Sequence, residues 1–521
     1  MRKFIYLSVM TKTVKLLSLC FILSTGQLFA QNINRNNFFK DSIDAYINRA
    51  LTNWRIPGAA VCIVKDGRII LMKGYGVKEL GLNNKVDPNT LFMIGSNTKA
   101  FTATALAMLE AEHKLSLDDK VTKYIPSFKL NDKLAGDDAR IRDLLCHRLG
   151  FQTFQGDFTY WTSNLSRQEV IEKMAHVKAV YPFRAKWGYT NAAFLTAGEV
   201  ITRVTDRSWE SFVKDRIFAP LGMGSTLALS KDFPMVINKA APHTIADGRL
   251  IAIPFCQIDN LAPAASMSSS VNDMSKWAMA QLDNGKVGPR QVIAADAISA
   301  TRQPQDIVGD VHHINGWSSV QLYGLGFFLQ DYAGHRMVMH DGAVNGYLSS
   351  VTLIPDLRLG IIVLTNNDQN ALYDALRWEI TDAYLKMPYR DYSDTFLARF
   401  KNNNAVEQLK DKKLRDSVAL NLRPALSLSA YAGQYFSDLY GNMTIEQGGE
   451  NNDLQMRFEH HPKMYAHLQS IGNNRFYVTF SDPEFGRAVF PFTVQNGRVT
   501  SVRVKVDDEI EYTPYDFKKV K

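Results

Sequence analysis

Ser96 and Lys99 stand three residues apart in Ser96-Asn97-Thr98-Lys99, between the apolar run Leu91-Phe92-Met93-Ile94-Gly95 and an Ala-rich stretch over 100–106. The pattern reads as a strand turning into a helix. Residues three apart on a helix share a face, so the Lys99 nitrogen can reach Ser96 Oγ and help remove its proton. A serine hydroxyl without such a base is a poor nucleophile, and the chemistry this pair points to is acyl transfer through a covalent serine ester. A second S-x-x-K, Ser211-Phe212-Val213-Lys214, sits where Trp209, Phe212, Val213, Ile217 and Phe218 recur at helical spacing. It reads as the polar side of an amphipathic helix.

Acyl transfer also needs a proton shuttle and donors for the developing oxyanion. Tyr189-Thr190-Asn191 lies just before the helical run over 192–201. Beside Lys99, a Tyr189 phenolate would be favoured by positive charge and could act as base, while Asn191 could hold Lys99 and a substrate carbonyl. Tyr-x-Asn recurs at 46–48 and 440–442, so context rather than the tripeptide carries the reading. The third element is His340-Asp341-Gly342, entered from the strand-like Met337-Val338-Met339 and followed by Ala343. Gly342 lets the backbone approach a substrate, and the Ala343 N–H can join that of Ser96 in an oxyanion hole. An unperturbed His340, with a pKa of about 6.5, is largely neutral at pH 7 and charges toward pH 6. That disfavours substrates bearing a carboxylate and favours esters or aminopeptidase-like substrates.

Nearer the N-terminus, Phe38-Phe39, Ile43, Tyr46-Ile47, Ala50-Leu51 and Trp54 fall at helical spacing and stop at Ile56-Pro57-Gly58. Ala60–Val64 and Ile69–Met72 flank Asp66-Gly67, a hairpin signal, and Ser350–Ile354 and Leu359–Leu364 flank a second turn at Pro355-Asp356-Leu357-Arg358. Between them, residues 100–300 read mainly as helices. Strands at both ends with helices between predict one α/β unit over 31–390 whose first and last parts share a sheet. A charged helical linker over 391–425 follows, then a small all-β domain over 426–521. The polar stretch Lys401–Lys413 predicts a boundary that few contacts cross.

The chain of 521 residues is 46% hydrophobic, enough for a large core. Residues 1–30 combine Arg2, Lys3, Lys12 and Lys15 with the apolar run Leu16–Leu23 and read as a secretory signal peptide cut after Ala30. Cleavage implies a periplasmic or secreted protein without a transmembrane anchor. It lowers the net charge from +8 to +4, and with basic residues scattered among acids this excludes a nucleic-acid partner. Cys62, Cys146 and Cys256 read as buried thiols rather than a disulfide framework. The histidines lack metal-ligand spacing, and His312-His313 and His460-His461 read as loop residues, so neither metal nor cofactor is expected.

Ser-x-x-Lys, Tyr-x-Asn and His-x-Gly in this order, with the closing hairpin, resemble the serine β-lactamase and penicillin-binding-protein superfamily. More closely they resemble its class C-like, CubicO-type branch, over about residues 35 to 390. Gly74-Tyr75-Gly76, Phe218–Met223 and Tyr323–Phe327 add to the match. The resemblance implies an α/β fold, an antiparallel sheet flanked by helices with a mainly helical insertion. It also implies roles: Ser96 the nucleophile, Lys99 and Tyr189 the general-base pair, Asn191 a positioning residue, and His340, Gly342 and Ala343 on the substrate side. The region from Leu426 is similar to the lipocalin-like C-terminal domain of some members. Three departures are expected to reshape the cleft rim: His147-Arg148-Leu149-Gly150 for His-Thr-Ser-Gly, Pro182-Phe183 for Pro-Gly, and Ala264-Ala265 for Gly-Gly. The expected protein is an exported serine hydrolase acting on a small-molecule ester, a peptide or a cell-wall-like substrate. The alternatives are a β-lactamase or D-Ala-type peptidase, and a catalytically silent envelope binding protein.

Overall fold

Asp66 and Gly67 both adopt left-handed backbone, φ 52° and 71°, as a two-residue turn between twisted antiparallel strands requires. They join β1 (Gly58–Lys65) to β2 (Arg68–Gly76) in a computed structural model that describes residues 42–448 and 453–520. The segment read as a signal peptide lies outside the described residues. Six more strands complete one antiparallel sheet: β3 (Asp306–His312), β4 (Ser318–Tyr323), β5 (Phe328–Tyr332), β6 (His335–Val344), β7 (Tyr347–Ile354) and β8 (Leu359–Thr365). Their order is β2-β1-β8-β7-β6-β5-β4-β3. The two ends of the unit do share the sheet, with Val61 opposite Val363. His312 therefore ends a strand rather than lying in a loop.

Both faces of the sheet are covered, so its central strands are apolar on both sides. On one face α1 (Ile43–Trp54) and α5 (Leu372–Tyr384) pack Ile47, Trp54, Leu376 and Ile380 against Val61, Ile63, Ile361 and Val363. On the other, α2 (Thr98–Ala111), α3 (Asn191–Thr205) and α4 (Val271–Leu282) cover Ala60, Cys62, Ile362 and Leu364. The first of these helices, α2, is buried continuously from Thr98 to Leu109, which is why its sequence is Ala-rich all round rather than striped. Cys62, Cys146 and Cys256 are free and buried.

A helix of 28 residues, α6 (Tyr392–Ala419), leads to a closed eight-stranded antiparallel barrel running from Gly433–Ser437 to Tyr515–Lys519. The expectation of few contacts between barrel and hydrolase-like unit is overturned. Phe158 is buried among four barrel rings, with centroids 5.1 Å from Tyr440, 5.0 Å from Phe458, 4.9 Å from His461 and 5.7 Å from Phe485. His461 Nε2 donates to the Trp161 carbonyl (3.1 Å), and the Asn164 N–H donates to the His460 carbonyl (2.9 Å). The His460-His461 pair thus belongs to an interface. Lys173 reaches the Leu439 carbonyl at 2.8 Å, and Arg487 pairs with Asp247 at 2.5 Å. The polar composition of 401–413 reports only what α6 exposes; the interface is built by aromatic residues far apart in sequence.

Candidate active site

Ser96 lies in a single 3₁₀ turn, Gly95–Asn97, directly ahead of α2, and is the one residue of 91–100 that is not fully buried. Gly95 is left-handed (φ 50°), and a Cβ there would fall 2.7 Å from the Ala343 carbonyl oxygen. A Cβ on Gly342 would fall 1.9 Å from the Ile94 oxygen. Glycine at both positions lets β6 lie against the serine turn, which brings the exposed Ala343 backbone beside Ser96. Ser349 Oγ ties the two together, donating to the Ile94 carbonyl and accepting from Asn97 Nδ2, each at 2.8 Å.

Lys99 is wholly buried, with Nζ 3.0 Å from Ser96 Oγ, 2.6 Å from Asn191 Oδ1 and 3.0 Å from the Ala264 carbonyl oxygen. Burial holds its pKa well below the ordinary lysine value, against a smaller opposing pull from Asp157. A neutral amine has two hydrogens and one lone pair. Asn191 Oδ1 and the Ala264 carbonyl can only accept, so they take the hydrogens and leave the lone pair facing the serine hydroxyl.

Tyr189 precedes α3 by two residues, its ring centroid 4.6 Å from Lys99 Nζ, and it shares a hydrogen bond with Ser96. Its pKa is raised, chiefly by burial. The expected phenolate is therefore corrected: an anion would have to sit in a fully enclosed site, and the hydroxyl stays protonated. Asn191, the first residue of α3, donates from Nδ2 to Asp157 Oδ2 at 2.5 Å. Asp157 is buried, its carboxyl pushed up to about 7 by desolvation, and its Oδ1 has no hydrogen-bond partner.

His340 joins this group from β6, and its ionisation departs from expectation. Burial, with Lys99 nearby, pushes it down to about 3, so it stays neutral at pH 6 and above. Its hydrogen bonds fix the tautomer: Nδ1–H donates to the Asp341 carbonyl (2.5 Å), and Nε2 accepts from the Tyr323 hydroxyl (3.2 Å). The Tyr323 oxygen in turn accepts from His147 Nε2 (3.3 Å), whose Nδ1 accepts from the Thr190 N–H (3.0 Å). His147 is thus a buried partner of the site, 4.4 Å from the Tyr189 ring, and not part of the cleft rim. Ala264, also expected at the rim, supplies a carbonyl to Lys99 instead.

The structure brings Ser96, Lys99, Tyr189, Asn191, His340, Gly342 and Ala343 into one site, and places the second S-x-x-K elsewhere, with Ser211 and Lys214 exposed on their helix. Sequence reasoning missed Asp157, His147 and the hydroxyl of Tyr323. Among the described residues no His/Cys/Asp/Glu group has the arrangement of a metal site.

A family model described as Beta-lactamase matches residues 43–385. The chain belongs to the beta-lactamase family. A second model, a domain of unknown function called DUF3471, matches 419–519, the end of α6 and the barrel. Among relatives of this beta-lactamase-family chain, the Unguisins hydrolase ungD' of Aspergillus campestris is 26% identical over 445 residues, 78% of each chain. Protein flp of Staphylococcus aureus is 26% identical over 63% of this chain and 64% of its own. The octameric penicillin-binding protein homologue from Pyrococcus abyssi superposes with a TM-score of 0.57 at 20% identity, over 91% of this chain and 99% of its own. At that identity the likeness shows the fold: a β-lactamase/DD-peptidase-like α/β unit with a C-terminal closed barrel. Family and relatives together mark the protein as a hydrolase.

Proposed function

We propose that this beta-lactamase-family protein is an exported serine hydrolase of the class C-like, CubicO-type branch, its barrel lipocalin-like, that cleaves an ester or amide through an acyl-enzyme on Ser96. The observation carrying this reading is the buried Lys99 Nζ, 3.0 Å from Ser96 Oγ, with two carbonyl acceptors at 2.6 and 3.0 Å that can take both hydrogens of a neutral amine and leave its lone pair for the Ser96 proton. Lys99 takes that proton as Oγ attacks the substrate carbonyl, and the N–H groups of Ser96 and Ala343 receive the oxyanion. Tyr189 gives its phenolic proton to the leaving atom and regains one from Lys99. Water then attacks the ester carbonyl, passes a proton back along the same pair, and frees Ser96.

The substrate side favours uncharged groups. His340 is neutral, and aromatic rings pack around the pair: Trp187 and Phe154 against Tyr189, and Phe328 against His340. A neutral ester or a peptide amide with an apolar group beside the scissile bond fits this lining. A cephalosporin or D-Ala peptide carboxylate finds no fixed charge at His340. A panel of p-nitrophenyl esters, D- and L-aminoacyl anilides and a chromogenic cephalosporin tests the reading: neutral esters or anilides are expected to be the best substrates. A kcat/KM on the cephalosporin above that on every ester would replace it with the β-lactamase alternative.

A further inference from the structure

The barrel places one carboxylate inside the hydrolase unit. Glu511, in the connection between Arg498–Val504 and Tyr515–Lys519, is fully buried. It accepts hydrogen bonds from the Gly156 N–H (2.7 Å), the Phe158 N–H (3.1 Å) and the Tyr440 hydroxyl (2.7 Å). The two backbone donors flank Asp157, the acid that holds Asn191, which in turn holds Lys99.

We infer that Glu511 is a positioning residue of the active site: by gripping the backbone on both sides of Asp157, the barrel fixes Asn191 and through it the Lys99 amine that faces Ser96. This rests on Lys99 serving as the base for Ser96, as proposed above.

Three observations support it. Burial pushes the Glu511 carboxyl up to about 8 against the pull of these donors; its two oxygens meet one backbone N–H each, and a carboxamide would turn its NH₂ against one of them. Asp157 Oδ1 has no hydrogen-bond partner, so its side chain is anchored only through Asn191; its backbone is held within the turn by Phe154 and Trp161, and Glu511 ties that turn to the barrel through Gly156 and Phe158. The same connection brings Tyr512 against Phe154 (5.8 Å, near-parallel), and Phe154 packs on the Tyr189 ring (5.7 Å). The barrel thus reaches both catalytic neighbours of Ser96 from one short segment. Buried carboxylates satisfied by several donors hold geometry tightly, and errors of about an ångström in a base can cost on the order of a hundredfold in rate.

The test uses the full-length chain and two readouts: steady-state hydrolysis of the best neutral ester, and the second-order rate at which a fluorophosphonate labels Ser96. Glu511→Gln is expected to lower kcat and the labelling rate about tenfold to a hundredfold while KM stays within about twofold. Arg487→Gln, which breaks a barrel contact to Asp247 without touching Gly156 or Phe158, should leave both rates unchanged. Wild-type rates in folded Glu511→Gln, or an equal loss in Arg487→Gln, would overturn the inference. Should Glu511→Gln not fold, Asp157→Asn must show the same fall in kcat at constant KM, and wild-type rates there would overturn it equally. Failure of the wild type itself to label at Ser96 counts against the nucleophile, a result distinct from labelling that proceeds at equal rates in all variants.

Discussion

The Tyr323 hydroxyl lies 3.2 Å from Nε2 of His340, and the same oxygen lies 3.3 Å from Nε2 of His147. One phenol thereby holds two buried imidazoles in opposite tautomers, one accepting from it and the other donating to it. With Nδ1–H committed to the Asp341 carbonyl, an added proton could go only to Nε2, where it would oppose the Tyr323 O–H.

His340 should therefore not act as a pH-dependent anion receptor. With its pKa pushed down to about 3, the fraction protonated stays negligible from pH 8 to about 5.5. The ratio of kcat/KM for a carboxylate-bearing ester to that for a neutral ester is expected to be flat over this range. A ratio that climbs several-fold between about pH 7 and 6 would show an imidazole titrating near its ordinary value.

Tyr323→Phe should cost about 1–3 kcal/mol, because it leaves a buried N–H of His147 and a buried acceptor on His340 without partners. Urea unfolding measures this. An unchanged midpoint would mean that water replaces the hydroxyl and that the relay carries little.

Tyr189→Phe keeps the ring against His147 and Phe154 and removes only the proton that is passed to the leaving group. Its kcat is expected to fall by about a hundredfold to ten-thousandfold, with the far-UV circular dichroism unchanged. Normal turnover across pH would leave Lys99 to perform both transfers alone.

Deleting 426–521 should leave an aggregating or unfolded chain rather than a working hydrolase. The deletion would expose Phe158, now buried among four rings, and strip Gly156 and Phe158 of their acceptor. Circular dichroism and gel filtration of the truncated chain test this; a soluble, cooperatively folded product would contradict it.

Local signals carried much of this molecule. The left-handed Asp66-Gly67 turn, the paired apolar runs of the second hairpin and the S-x-x-K turn each record their geometry within a few residues, so the sheet and the positions of Ser96 and Lys99 were legible. Asp157 was not: it stands in Gly156-Asp157-Phe158-Thr159, which has no periodicity of its own, and its partner Asn191 is 34 residues away. Glu511 is more remote still, 355 residues from Gly156. His147 is the unchanged first residue of a motif that departs at Arg148-Leu149, and only burial shows that it faces Tyr323 rather than the rim. The ionisation of Tyr189 and His340 was misread for a single reason. Neighbouring charge can be guessed from sequence, whereas desolvation, the larger influence here, depends on everything packed around the group.

Covalent trapping tests Ser96 as the nucleophile most directly. A fluorophosphonate probe should label the full-length wild type at Ser96, as located by peptide mass mapping. Ser96→Ala should lose both the label and about a thousandfold or more of its hydrolytic rate, whereas Ser211→Ala keeps both. Labelling that persists in Ser96→Ala, or hydrolysis there at the wild-type rate, would contradict the account.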